Sequence, residues 1–213
     1  FKNMSFDEAR SDVLTTCRTL ADRGFLAGTG GNIAIRADAD HFAVTPSATD
    51  YYAMSAGDVC VVRLSDMEQV AGELAPSVES GLHARFLRAR PDCNASVHTH
   101  QPIASAYTLF AKPLKVQSEE HRRLLGNVVP CSGYAPSGTS WLAGKVAKLA
   151  RPDVHAYLMR NHGVVFVGQD SEQAIARVEA LEAACAEFFA AHVEHNRSTL
   201  APVVADTVAA VMK

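Results

Sequence analysis

The sequence predicts an α/β domain, on three observations. Stretches with an apolar residue every three or four positions alternate with short stretches in which apolar and polar residues alternate, the periods of helix and strand. The 213 residues contain no linker, internal repeat or low-complexity segment that would divide them. Apolar residues make up 48% and charged residues 20%, ordinary values for a buried core under a polar surface. Residues 4–213 are read as one domain, with Phe1-Lys2-Asn3 set aside as a leftover stretch ahead of Met4.

Ser5-Phe6-Asp7-Glu8 has the form of a capping box. Ala9, Val13, Cys17 and Leu20 follow at helical spacing, and Gly24 supplies a stop. Gly28-Thr29-Gly30-Gly31-Asn32 leads into a strand at Ile33–Arg36. Its glycines let backbone N–H groups converge on an anion, with Thr29 and Asn32 as side-chain donors. A second strand runs from Phe42 to Thr45 and a third from Asp58 to Leu64. Between them Thr45-Pro46-Ser47-Ala48-Thr49-Asp50 offers a second set of hydroxyls. Ala75–Ser80 opens a helix with Ser77 as N-cap and Glu79 in the first turn. Val78, Leu82, Phe86 and Ala89 form its buried stripe, and Pro91 ends it. Asn94–His100 alternates as a strand. Gln101–Phe110 reads as helix, Pro113–Val116 as extended, and Glu119-Glu120-His121-Arg122-Arg123 as a charged cluster on a solvated face. Ser140–Ala150 is another short helix. Strands at Ala156–Arg160 and Val164–Val167 flank Asn161-His162-Gly163. From Asp170-Ser171, Ala174, Val178, Leu181, Cys185, Phe188 and His192 mark the core stripe of a long last helix.

The chemistry centres on His98 and His100. Side chains two apart on a strand share a face, with Cα atoms about 6.6–6.8 Å apart, close enough for both rings to reach one metal. The plain alternative is a pair of surface histidines on an edge strand. His162, beside a glycine at a strand bend, is a third imidazole that can be aimed into a cavity. Three neutral imidazoles leave one coordination position open, as in a catalytic zinc site, and a zinc there acts as a Lewis acid that stabilises an enediolate. Glu79 is then the base for the carbon next to the carbonyl. The Gly28–Asn32 loop, Ser47 and Ser77 are candidates to hold a substrate phosphate. Five scattered cysteines without C-x-x-C spacing suit reduced thiols in a cytoplasm. A net charge of −3 with no basic cluster gives no nucleic-acid footprint, and no apolar run is long enough for a membrane span. No stretch has the pattern of a signal peptide.

Taken in order, Gly-Thr-Gly-Gly-Asn, Thr-Pro-Ser, Pro-Ser-Val-Glu, His-Thr-His and Asn-His-Gly resemble the class II aldolase/adducin family over residues 5–190. The resemblance implies a three-layer α/β/α sandwich with a mostly antiparallel central sheet. It also implies a homotetramer with sites at subunit interfaces. By motif it assigns His98, His100 and His162 as zinc ligands, and Glu79 as the acid/base that can also approach the metal. Manganese or cobalt are the alternative ions. Thr29, Gly31, Asn32, Ser47 and Ser77 fall on phosphate-binding positions. Three departures stand out: Ala48 for a glycine, Val78 for a second phosphate-binding serine, and no tyrosine in 119–123. His121, Glu119 and Glu120 are the candidates to replace that tyrosine, with His121 taken as the second catalytic group. The expected function is cleavage of a phosphorylated ketose to dihydroxyacetone phosphate and an aldehyde. The alternatives are an epimerase, a β-keto-acid decarboxylase, or a non-catalytic adducin-like interaction domain.

Overall fold

The computed structural model describes residues 3–26 and 28–211. Phe1 and Lys2, set aside above, and Met212 and Lys213 at the end of the expected domain lie outside the described residues. Ser5 Oγ accepts the Glu8 N–H at 3.2 Å while the Glu8 carboxylate accepts the Ser5 N–H at 2.6 Å, and helix α1 (Phe6–Asp22) starts on that box. After it come strands β1 (Asn32–Arg36), β2 (His41–Val44), β3 (Cys60–Arg63) and β4 (Gln69–Ala71), helix α2 (Ser80–Ala89) and strand β5 (Ala95–Thr99). Helix α3 (Pro102–Tyr107), strand β6 (Leu114–Lys115), helix α4 (Glu119–Leu125), strands β7 (Val128–Val129) and β8 (Cys131–Ser132) and helix α5 (Ser140–Ala147) follow. The chain closes with the hairpin β9 (Ala156–Met159) and β10 (Gly163–Gly168), then helices α6 (Ser171–His195) and α7 (Pro202–Val211).

Among the described residues eight strands form one sheet in the order β4-β3-β2-β1-β5-β10-β9-β8, and only β8–β9 is parallel. Strand alternation sorts its side chains to two faces. Ile33, Ile35, Val97, Val164 and Phe166 pack with α1 and α6. Ala34, Phe42, Val165 and Val167 belong to the clusters built on α2 and α5. The result is the α/β/α sandwich with a mostly antiparallel sheet. Among the described residues no helix is long and apolar enough to cross a membrane.

Three sequence expectations shift. The His98 strand is central, between β1 and β10, so the edge-strand alternative is excluded and His98 is fully buried. The second helix begins later than expected: Ser77 Oγ accepts the Glu79 N–H at 3.2 Å in a turn ahead of the helix, and Glu79 rather than Ser77 is the N-cap. Val78 is therefore outside the helical phase and 71% exposed. The buried face runs through Leu82, His83, Phe86 and Leu87, while Ala89 is exposed. The α6 stripe is core from Ala174 to Cys185, but His192 is exposed and stacks on half-buried Phe188. The 25 residues of α6 extend about 37 Å, well past the five- and six-residue strands beneath it.

Candidate active site

β5 delivers His98 from its fourth position, and His100 follows one step past its end. The third ring comes from the turn between β9 and β10, where β10 is the strand next to β5. There Asn161 takes a left-handed φ of +55°, which asparagine tolerates, and His162 donates its N–H to the Met159 carbonyl. Gly163 lets this turn press onto the end of β5: a Cβ there would meet the Thr99 carbonyl oxygen and lie 2.8 Å from His100 Cδ2. One ring nitrogen from each of His98, His100 and His162 lies within 4.8 Å of the others, and the ring centroids are 4.6–5.1 Å apart.

The donor chemistry fits a cation. His98 Nδ1 donates to the Val164 carbonyl at 2.9 Å, which fixes the tautomer and leaves Nε2 as a bare, fully buried acceptor without a hydrogen-bond partner. Burial lowers the pKa of all three histidines, with Glu79 pulling the other way, so the rings stand neutral near pH 7. His98 Nε2 faces Glu79 Oε2 at 3.3 Å, and His162 Nε2 faces Glu79 Oε1 at 3.5 Å. Two acceptors face each other across the His98–Glu79 gap, an arrangement that a shared cation satisfies.

Glu79 is itself buried, 6% exposed, and each of its oxygens has one hydrogen-bond donor. Asn32 Nδ2 donates to Oε2 at 2.9 Å and Ser137 Oγ donates to Oε1 at 3.0 Å. Burial would raise the Glu79 pKa. Positive charge on His98 or His162 would lower it, and with the rings neutral the Asn32 and Ser137 hydrogen bonds remain to favour the ionised carboxyl. The group is a carboxylate at neutral pH.

Among the proposed phosphate positions, Asn32 and Ser77 sit against Glu79. Asn32 is the register partner of His98 across β1–β5. The Ser47 and Ser77 turns run side by side: Ser47 N–H donates to the Ala75 carbonyl and Ser77 N–H to the Thr45 carbonyl, around a Pro46–Pro76 bridge. Gly31, at φ +84°, lies so close to β5 that a Cβ would come 2.7 Å from the His98 carbonyl oxygen. Tyr51 O–H ties this loop down through the Gly30 carbonyl at 3.0 Å. Thr29 is exposed on the turn before β1. Ala48, one of the three departures noted above, takes φ +51°, a conformation glycine adopts more readily. His121 lies on α4, where its Nδ1 has Glu187 of α6 as neighbour at 3.5 Å. Sequence reasoning missed Ser137, His83 and Ser96. The last two were legible, His83 as the residue one helical turn after Glu79 and Ser96 as the one sharing a strand face with His98. Nothing in the sequence marked Ser137.

Residues 11–188 match the family described as Class II Aldolase and Adducin N-terminal domain. The L-fuculose phosphate aldolase of Methanococcus maripaludis (strain C7) is 30% identical over 171 residues, 80% of this chain and 91% of that protein. The 5-deoxy-D-ribulose 1-phosphate aldolase of Bacillus thuringiensis serovar kurstaki is 31% identical over 187 residues, covering 87% of this chain and 86% of its own length. A solved L-fuculose 1-phosphate aldolase superposes with a TM-score of 0.84 at 26% identity, over 97% of this chain and 96% of that one.

Proposed function

The chain belongs to the class II aldolase and adducin family, and from that premise we propose that it is a metal-dependent aldolase cleaving a phosphorylated ketose to dihydroxyacetone phosphate and an aldehyde. The observation that carries this reading is the meeting of three neutral imidazoles with an ionised Glu79 against two of them. His98, His100 and His162 hold the ion, zinc first and manganese or cobalt as alternatives, with Glu79 able to join them. A divalent ion there supplies Lewis-acid polarisation of a substrate carbonyl. In cleavage, the electron pair of the broken carbon–carbon bond passes to the carbon beside that carbonyl, and Glu79 takes up a proton from solvent and passes it to this carbon. The aldehyde is released as its hydroxyl loses a proton, the role assigned to His121. Thr29, Gly31, Ser47 and Ser77, with the free N–H of Asn32, bind the phosphate. The same reading takes residues 4–213 as one domain of a cytoplasmic homotetramer with sites between subunits.

Zinc-loaded protein is incubated with a panel of phosphorylated ketoses, and dihydroxyacetone phosphate is read by coupled reduction. Release that stops with a chelator and returns with zinc is the expected result. Zinc-loaded protein that epimerises these substrates, decarboxylates a β-keto acid supplied beside them, or releases no dihydroxyacetone phosphate from any ketose overturns the aldolase reading.

A further inference from the structure

Behind Glu79 lies a row of buried polar groups that touches neither the histidine cluster nor solvent at its far end. His83, on α2 one turn beyond Glu79, is completely buried. Its Nε2 is 2.7 Å from Asn32 Oδ1 and its Nδ1 is 2.7 Å from Ser96 Oγ. Asn32 in turn donates from Nδ2 to Glu79 Oε2. The carboxylate fixes the direction of every bond in the row. It can only accept, so Asn32 presents its NH2 group to Glu79 and its carbonyl oxygen to His83. His83 therefore carries its proton on Nε2 and accepts from the Ser96 hydroxyl on Nδ1.

We infer that His83 is a positioning residue for Glu79: its Nε2–H holds the Asn32 amide in the one orientation that donates to the carboxylate. Turned by half a rotation, the amide would set Oδ1 against Glu79 Oε2, acceptor against acceptor, and the carboxylate would swing away. Ser96 Oγ engages the other ring nitrogen at 2.7 Å and steadies the ring from behind. The row also defines what Asn32 does in this chain. With Oδ1 on His83 and one N–H on Glu79, a single N–H remains for a substrate. A plain packing role is the alternative, and α2 does use Leu82 and Phe86 to pack on the sheet. Packing, however, does not require a donor at Nε2. The inference rests on the reading of Glu79 as the proton carrier.

Three variants test it. His83→Phe keeps a ring and loses the donor, His83→Gln keeps a donor near the position of Nε2, and His83→Leu loses the donor with a smaller side chain. Each is loaded with zinc and measured with the phosphorylated ketose that the wild type cleaves, and the crystal structure of each is solved. The expected pattern for His83→Phe is a kcat lower by about tenfold or more with KM within about threefold, and an Asn32 amide no longer donating to Glu79. His83→Gln is expected to recover kcat to within about threefold of the wild type, which a packing role would not predict. Wild-type kcat in His83→Phe, or equal losses in His83→Phe and His83→Gln with the Asn32–Glu79 bond intact, overturns the inference. If His83→Phe does not fold, His83→Leu decides: a fall in kcat alone supports the relay and an unchanged kcat refutes it. If the wild type cleaves no ketose, the aldolase reading fails and the structures alone decide, since an Asn32 amide still donating to Glu79 in a folded donor-less variant refutes the relay.

Discussion

Replacing Gly163 by alanine asks how tightly the three histidines are held. The new Cβ would meet the Thr99 carbonyl oxygen and lie 2.8 Å from His100 Cδ2 and 3.1 Å from His98 Cε1. Unstrained carbon contacts run at about 3.5–4.0 Å, so all three neighbours are too close. Thr99 belongs to a strand paired on both sides and cannot move alone. The exposed His100 ring yields first, and the 160–163 turn lifts with it. Gly163 has no left-handed φ, so the cost is crowding rather than backbone strain. Such overpacking costs about 1–3 kcal/mol. For a chain of this length that lowers the Tm of metal-free protein by about 2–12 °C. Metal affinity suffers more, because ligand distances tolerate only about 0.2 Å. A loss of at least about tenfold in zinc affinity is expected. Thermal melts followed by circular dichroism and zinc titration against a competing chelator measure both. A variant that melts with the wild type and binds zinc equally well would refute the picture of a turn packed directly onto the ligand strand.

Two further outcomes follow from the same geometry. Glu79→Gln is expected to lower kcat by about 100- to 10,000-fold while keeping the fold, read by steady-state kinetics beside a melting curve; turnover within about tenfold of wild type would remove Glu79 from the reaction. Burial holds His83 down to about 4, against a weaker pull upward from Glu79. The unfolded chain therefore binds an extra proton there between its ordinary value near 6.5 and about 4. Stability contributed by this group is complete above pH 6.5 and is lost as pH falls towards 4, by about 3 kcal/mol in all. Urea unfolding from pH 7.5 to 4.5 checks the sign, and His83→Gln should flatten part of the slope; an identical slope in that variant would show the ring is not the source.

What the sequence revealed and what it hid divide along physical lines. Strand parity put His98 and His100 together because side-chain alternation is local, and the capping box at Ser5 and Glu8 was legible for the same reason. The meeting of His162 with His98 depends on β10 pairing with β5 across a long stretch of chain; the glycine at the strand bend suggested it, and the motif resemblance assigned it. Val78 fitted a helical stripe by spacing, yet the Ser77–Glu79 turn delays the helix, a competition between side-chain and backbone hydrogen bonds that periodicity does not register. Ser137 reaches Glu79 from the loop ahead of α5, a tertiary contact with no local signature. Helix α7 escaped notice because its apolar residues are largely exposed, among them Val203 at 71% and Val211 at 69%, and form no core stripe.

The Val164 carbonyl that receives the His98 proton lies on the neighbouring strand, so strand registration also selects which nitrogen that ring offers. Losing one residue from 163–168 would slip the pairing of β10 against β5 and take that oxygen away from the ring, even with every histidine retained. Length changes between His100 and His162 that preserve the alignment leave the tautomer untouched. Segments far from the ligands are thus free to diverge, while an unremarkable valine is held in place by a proton.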